Sequence, residues 1–371
     1  MKKRWWLLLL LAAPLAYGLN LYLTGHPSVS ERFFAEGIYP VFSGIVRRMT
    51  GWIPFSLMEL CIAAVILGAA GGLILLIVTL FRGIFKHQVP WKKIGGVFVR
   101  ILCAASVLYA VYVVFCTANY HRETFSSLSG LPVQESSVDE LEAVVRALAE
   151  EASSLREELS EDENGVVICP YDSYGALADQ VREAFMVCGD EYAVLDGWVP
   201  RPKRVLCSEI MSMAETTGIY FVYTAEANVN RLMPTLDLPA TMAHELSHLQ
   251  GFMREDEANF IAYLVTEHSD DPYVRYSGAQ FALVYAANRL YAEDYDRWAA
   301  VREECYSEGL IRDLADISAY WKPYRNTKVS QAADQANTAY LITQGESDGT
   351  KSYGRMVDLL LAYYRAAEAG K

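Results

Sequence analysis

Acidic side chains are almost missing from the first third of this chain, and basic ones are outnumbered two to one in the rest. Residues 1–116 hold three of the 45 Asp/Glu (Glu31, Glu36 and Glu59) and 11 of the 32 Lys/Arg, a net of +8. That leaves 21 basic and 42 acidic residues in 117–371, a net of −21. So acidic a balance argues against nucleic acid as a partner and makes a polyanionic substrate a poor fit. No CxxC spacing, internal repeat, Gly-rich phosphate loop or Ser/His/Asp order stands out in the sequence. Those gaps leave nothing to suggest a cysteine zinc site, a nucleotide cradle or a serine triad. Cys61, Cys103 and Cys116 lie in or beside apolar runs and read as small buried hydrophobes, while Cys169, Cys188, Cys207 and Cys305 fall in the acidic part without an assignable pairing.

What is present begins with apolar runs. The chain is 53% hydrophobic, high for a water-soluble protein. Three stretches, about 5–23, 57–81 and 94–116, are long enough to cross a bilayer. A cleaved signal peptide is the competing reading of the first. Lys2, Lys3 and Arg4 precede it, and Arg82, Lys86, Lys92 and Lys93 sit between the second and third. The positive-inside rule puts both basic sites in the cytoplasm, so three crossings leave residues 117–371 outside. Arg47 and Arg48 run against that rule, and Arg100 is expected to snorkel toward the basic side. Residues 24–54 read as a polar, aromatic-rich loop and 119–134 as a polar linker. The expected organisation is therefore a membrane anchor over 1–116 and a separate domain over 117–371.

In the second part, Ser137-Val138-Asp139-Glu140 has capping-box form and opens a helix with Leu141, Val144, Val145, Leu148, Leu155 and Leu159 on one stripe. Tyr174–Cys188 is a second helix with Gly189 as its stop. Gly218–Thr224 is rich in β-branched and aromatic residues and reads as a strand running into Glu226 and Asn228.

The chemistry is concentrated in Leu238–Leu264. His244-Glu245-Leu246-Ser247-His248 is an HExxH sequence, with Pro239 suited to a first helical turn and Gly251 to the position past the end. On a helix, residues four apart sit about 5–6 Å apart on one face. That separation lets two imidazoles grip one Zn²⁺ and leaves Glu245 where a general base for a water belongs. A third ligand is offered by Arg254-Glu255-Asp256-Glu257-Ala258-Asn259, which opens the next helix. Glu255 with Ala258 and Asn259 resembles the segment that supplies the glutamate ligand in gluzincin-type metallopeptidases. Glu257 is the alternative, because carboxylates two apart on a helix cannot both point at one metal. Asn259 shares a face with Glu255 and is placed to steady the carboxylate or a histidine from behind. A metzincin would carry a His or Asp three residues after Gly251, where this chain has Arg254.

The order GIYFVYTAEANVN, LPATMAHELSHLQGF, REDEANFIAYL resembles an uncharacterised bacterial family of membrane-anchored, zincin-like proteins, a domain of unknown function. The likeness extends to Tyr276-Ser277, to Tyr340-Leu341 and to Gly349–Gly354. It implies a multi-pass protein of the bacterial cytoplasmic membrane whose domain outside is an α+β, mainly helical, zincin-like metallopeptidase. Zincin folds place an edge strand before the HExxH helix to pair with an extended peptide. That role would fall to the strand near Glu226 and Asn228, which otherwise is an ordinary core strand. Tyr276 and His268 are the candidates for holding an oxyanion. The expected cofactor is Zn²⁺ on His244, His248 and Glu255, with Glu245 catalytic. The expected partners are the membrane and a protein or peptide substrate. The alternative is a non-catalytic zinc-containing membrane sensor or peptide-binding scaffold.

Overall fold

Three helices are apolar over long stretches, and this sets the architecture. The computed structural model describes residues 5–85 and 88–369; Lys2, Lys3, Arg4 and Lys86, counted above toward the basic side, lie outside them. Helices α1 (Trp5–Leu23), α3 (Leu57–Phe85) and α4 (Trp91–Tyr120) are long and apolar enough to cross a membrane. At 1.5 Å per residue, the 29 residues of α3 run about 43 Å, well beyond a hydrocarbon core of about 30 Å. Leu60, Val65, Ile66, Leu67 and Leu73 all point outward from it, covered by nothing in the protein. Helices α1 and α4 meet through Ser106, whose Oγ accepts from Ala13 N (2.8 Å) and donates to Leu9 O (2.9 Å).

The segment expected as a loop between the first two runs is helical. A π-helical stretch, Ser30–Ile38, continues into α2 (Tyr39–Thr50). Its inward side carries Glu31, Tyr39, Ser43 and Arg47. Arg47 Nη1 donates to Gln250 Oε1 (2.9 Å), which explains a cation in a loop where the charge rule did not place one. The expected linker after α4 is likewise part of the packed structure. Arg122 forms a buried pair with Glu31 (2.6 Å), lies over the Phe252 ring at 4.1 Å, and is followed by the fully buried Phe125. Chain from both sides of residue 117 thus builds one packed unit.

That pairing gives a stability prediction. Arg122→Ala should cost about 3–5 kcal/mol, because it strands the Glu31 carboxylate in a buried site. Arg122→Ala with Glu31→Ala should cost less than Arg122→Ala alone. Chemical unfolding of the detergent-solubilised chain measures both, and equal losses would show the pair is not coupled.

The remaining helices wrap the HExxH segment. They are α5 (Val138–Glu157), α6 (Tyr174–Glu191), α7 (Leu238–Leu249), α8 (Glu255–Glu267), α9 (Pro272–Glu293), α10 (Tyr295–Cys305), α11 (Glu308–Trp321), α12 (Lys328–Thr343) and α13 (Met356–Ala369). Helix makes up 73% of the chain and strand 4%, so the fold is mainly helical. Ser137 and Glu140 form the capping box of α5, whose Leu141, Val144, Val145, Leu148 and Leu155 are buried; the helix ends at Glu157, so Leu159 lies beyond it, half-buried against the core. Gly189 does not stop α6: it lies inside the helix, where a Cβ would crowd the Leu195–Asp196 backbone at 3.2 Å. The seven cysteines are all free.

One three-stranded sheet lies against α7, in the order β1 (Lys203–Val205), β3 (Glu226–Asn230), β2 (Gly218–Phe221). β1 is parallel and β2 antiparallel to β3. The expected strand is shorter than drawn, ending at Phe221, and the chain turns through Ala225 at φ +48° into β3. Gly218 pairs with Val229 and Ile219 with Asn228. Since successive residues alternate faces, Gly218, Tyr220, Ala227 and Val229 share one face, and Glu226, Asn228 and Asn230 the other.

Candidate metal centre

Helix α7 carries Pro239 in its first turn and ends in a left-handed Gly251 at φ +92°. Gly251 N bonds His248 O (2.9 Å) and Phe252 N bonds Ser247 O (3.1 Å), closing the last turn in a Schellman arrangement. A side chain at Gly251 would also press on the Tyr39 ring at 3.2 Å. This sharp reversal brings the first turn of α8 back beside α7, so Glu255 faces the two histidines.

The three donor atoms converge. Glu255 Oε2 lies 3.2 Å from His244 Nε2 and 3.5 Å from His248 Nε2, and the three groups fall within 4.8 Å of one another. Ligands 2.0–2.1 Å from a tetrahedral zinc stand about 3.3–3.4 Å apart along each edge, so these separations fit such an ion. The imidazole rings are crossed at 87°, each presenting its edge to the shared point. His248 Nδ1 contacts Phe252 O at 2.8 Å. A carbonyl only accepts, so Nδ1 carries a proton and Nε2 is the nitrogen that faces the centre. Asn259 lies beside His244 and Tyr285, and its Nδ2 donates to Tyr353 O at 3.3 Å.

The electrostatics suit a cation. Burial opposes charge on Glu255, but the two imidazoles outweigh it and hold the carboxyl at about 2. Burial also works against protonated His248, yet Glu255 and then Glu245 push it up to about 9. His244 is lowered, chiefly by burial. Glu255 Oε2, buried at the meeting point, has no hydrogen-bond donor of its own, and a divalent ion would satisfy it. Glu245 is buried as well, pushed up to about 8 by desolvation, and its Oε2 is also without a donor. It lies against β2 at Gly218, where any Cβ would collide with its carboxylate. That contact is why the strand carries glycine there.

Other anticipated residues are placed elsewhere. Glu257 points away from the centre: its Oε1 accepts from Phe125 N (2.7 Å) and its Oε2 pairs with Arg254 (3.1 Å). Glu226 and Asn228 are on the sheet face turned from α7, because alternation fixes both once Gly218 faces it. Glu226 accepts from Leu57 N (3.0 Å) and Met58 N (3.1 Å), capping the first turn of α3, and pairs with Lys203. Asn228 Nδ2 donates to Ile219 O (3.2 Å) and Glu226 O (3.1 Å) inside the sheet. Tyr276 is a core residue whose hydroxyl donates to Asp313 Oδ2 (2.7 Å), the oxygen that also accepts from Arg156 (2.6 Å). His268 caps α8 through Leu264 O (2.6 Å) and contacts Glu191 (3.0 Å). Neither Tyr276 nor His268 borders the donor cluster.

Tyrosines from distant segments line the surroundings instead. Tyr353 is held far above the usual phenol range by burial and then by the Glu255 charge. Asn337 Nδ2 donates to its hydroxyl oxygen (3.4 Å), leaving the phenolic proton free to be given. Tyr285 is pushed up to about 12, by burial first, with Glu255 adding to it. Tyr39 Oη donates to His248 O and Leu249 O (3.2 and 2.9 Å) and meets Tyr220 Oη at 2.9 Å. Local periodicity holds no signal for any of these. Tyr353 and Tyr220 lie in segments that carry the family resemblance, and Tyr285 in a helical stretch, but nothing local gives any of them a role.

A family model described as "Protein of unknown function (DUF3810)" matches residues 34–361, from before α2 into α13. No curated protein and no solved structure matches the chain. With most of its length inside that match, including α2, the HExxH helix and Tyr353, the chain belongs to the DUF3810 family.

Proposed function

We propose that this chain is a membrane-anchored, zinc-dependent metallopeptidase of the zincin type, acting on proteins or peptides at the bacterial cell envelope. One observation carries the reading. One carboxylate oxygen stands at tetrahedral-edge separations from two imidazole nitrogens, the three within 4.8 Å of one another, beside a second buried carboxylate whose Oε2 has no partner. A structural site has no use for that fourth group. The uneven charge, with Arg82 near the end of the second spanning helix and Lys92 and Lys93 at the start of the third, supports the domain lying outside the cytoplasm.

His244, His248 and Glu255 would hold the zinc. When bound, it supplies a Lewis acid for a carbonyl oxygen and makes a water more acidic. Glu245, whose ionised form a cation held by the three donors would favour, takes the proton from the attacking water at its free Oε2 and passes it to the leaving amine. Tyr353 gives its phenolic hydrogen to the developing oxyanion. β2 supplies the peptide groove. Asn230 N bonds Thr217 O (2.8 Å), so alternation turns the backbone groups of Gly218 and Tyr220 toward the open edge. An extended peptide can add there as a further strand, next to Glu245.

The full chain purified in detergent should carry about one zinc and cleave members of a quenched fluorescent peptide library. Chelation should abolish cleavage, and added zinc should restore it. A zinc-bearing chain that cuts nothing would turn the assignment toward the sensor or scaffold, and cleavage unaffected by metal removal would show that the three donors do not carry the chemistry.

Gly218→Ala is a second test. Its methyl group must displace the Glu245 carboxylate, and misplacing a catalytic group by about 1 Å costs about 10²-fold in rate. Zinc content should not change. A kcat within a few-fold of the parent would mean that Glu245 is not poised by this strand.

A further inference from the structure

Helix α2 is built inside out. Its polar side chains Tyr39, Ser43 and Arg47 face the protein, while Val41, Ile45 and Met49 form one outward stripe at helical spacing, with exposed Ile38 just before the helix and Trp52 in the turn just after it. Met49 is 67% and Trp52 78% exposed, and Phe33 and Phe55 extend the stripe at either end. In water this polarity would waste the apolar face. It suits a helix whose outer side meets hydrocarbon.

Its position agrees. The segment is tied at both ends to spanning helices, and Phe42 stacks on Phe115 of α4 with centroids 3.6 Å apart. Lys92 and Lys93 mark one edge of the apolar part of α4. At 1.5 Å per residue, a core of about 30 Å reaches its other edge about 20 residues beyond Ile94, at the level of that stack. Arg32 and Arg48 are exposed beside the stripe, with Glu36 the exposed acid between them, at the depth of lipid phosphates. The β2–β3 turn comes down to the same helix, Tyr223 Oη donating to Leu108 O at 3.1 Å.

We propose that α2 lies in the membrane plane with Ile38, Val41, Ile45, Met49 and Trp52 sunk in the leaflet adjoining the domain. The same helix grips the end of α7 through Tyr39 and Arg47. The donor cluster is therefore held within about a tyrosine's length of a lipid-seated helix. On the peptidase reading above, on which this last step rests, the substrate class is the juxtamembrane segments of membrane-embedded proteins.

The test places a diazirine-bearing amino acid at Ile45 or Met49 of the full chain, in phosphatidylcholine vesicles containing phosphatidylglycerol. Irradiation should give lipid adducts as abundantly as at Ile66 of α3, and none at Tyr291 on the domain surface. Adducts to a second copy or another protein, or a yield matching Tyr291, overturn the lipid seat. A companion assay offers two lipid-anchored peptides, one with its cleavable segment at the anchor and one behind a spacer of roughly 20 Gly/Ser residues, about 25 Å in span. The peptide without a spacer should be cut within about threefold of the spaced one, as the two differ only in local concentration. Cleavage of the spaced peptide alone overturns the surface-level centre. If neither is cut while lipid adducts form, the peptidase reading and its substrate class fall and the lipid-seated helix stands.

Discussion

Replacing Glu245 with Gln is expected to lower kcat on any peptide the protein cleaves by about 10²–10⁴-fold, the range for losing a general base. Zinc should stay at about one per chain, because Glu245 is not among the three converging donors. KM should change little, since the carboxylate works on water and not on the peptide. Folding should also survive. Glu245 is buried with an unpartnered Oε2, and Gln keeps its shape while removing the charge that burial disfavours. The measurement pairs steady-state kinetics with metal analysis of the same preparation. If the Gln variant cuts as fast as the parent, the base lies elsewhere and the geometry around Gly218 needs another explanation.

How much of this was legible follows from distance along the chain. His244 and His248 are one helical turn apart, so periodicity alone puts them on one face. Glu255 could be proposed because only seven residues separate it from His248, and Gly251 gave the reversal. Choosing between Glu255 and Glu257 required knowing which way α8 rotates, and that is set by Phe125 N and Arg254 claiming Glu257. Glu226 and Asn228 were misplaced for a sharper reason: strand facing has period two, so a register not yet known decides every side chain at once. Tyr39 and Tyr353 reach the centre from about 200 residues before and 100 after the motif, beyond any local pattern. The helix α2 was hidden by its inversion. Its buried Tyr39 and Arg47, and Glu31 in the stretch before it, look like a loop's polar residues when only composition is read.

Removal of a ligand should separate the two glutamates. His248→Ala and Glu255→Gln should each bring zinc from about one per chain to none, because a three-ligand catalytic site has no donor to spare. Glu257→Gln should keep zinc. Its own loss is in stability, since Arg254 gives up an ion pair (3.1 Å) and Phe125 N a charged acceptor (2.7 Å). The linkage of metal to folding gives an independent readout. Saturating zinc at about 100 times its dissociation constant adds about 2.7 kcal/mol to the folded state, raising the Tm of the parent and of Glu257→Gln by several degrees. His248→Ala and Glu255→Gln should show no such rise. The opposite pattern, zinc lost with Glu257→Gln and kept with Glu255→Gln, would mean that α8 turns its other face to the metal and that the 3.2 and 3.5 Å approaches of Glu255 to the imidazoles are ion pairs of an empty cleft.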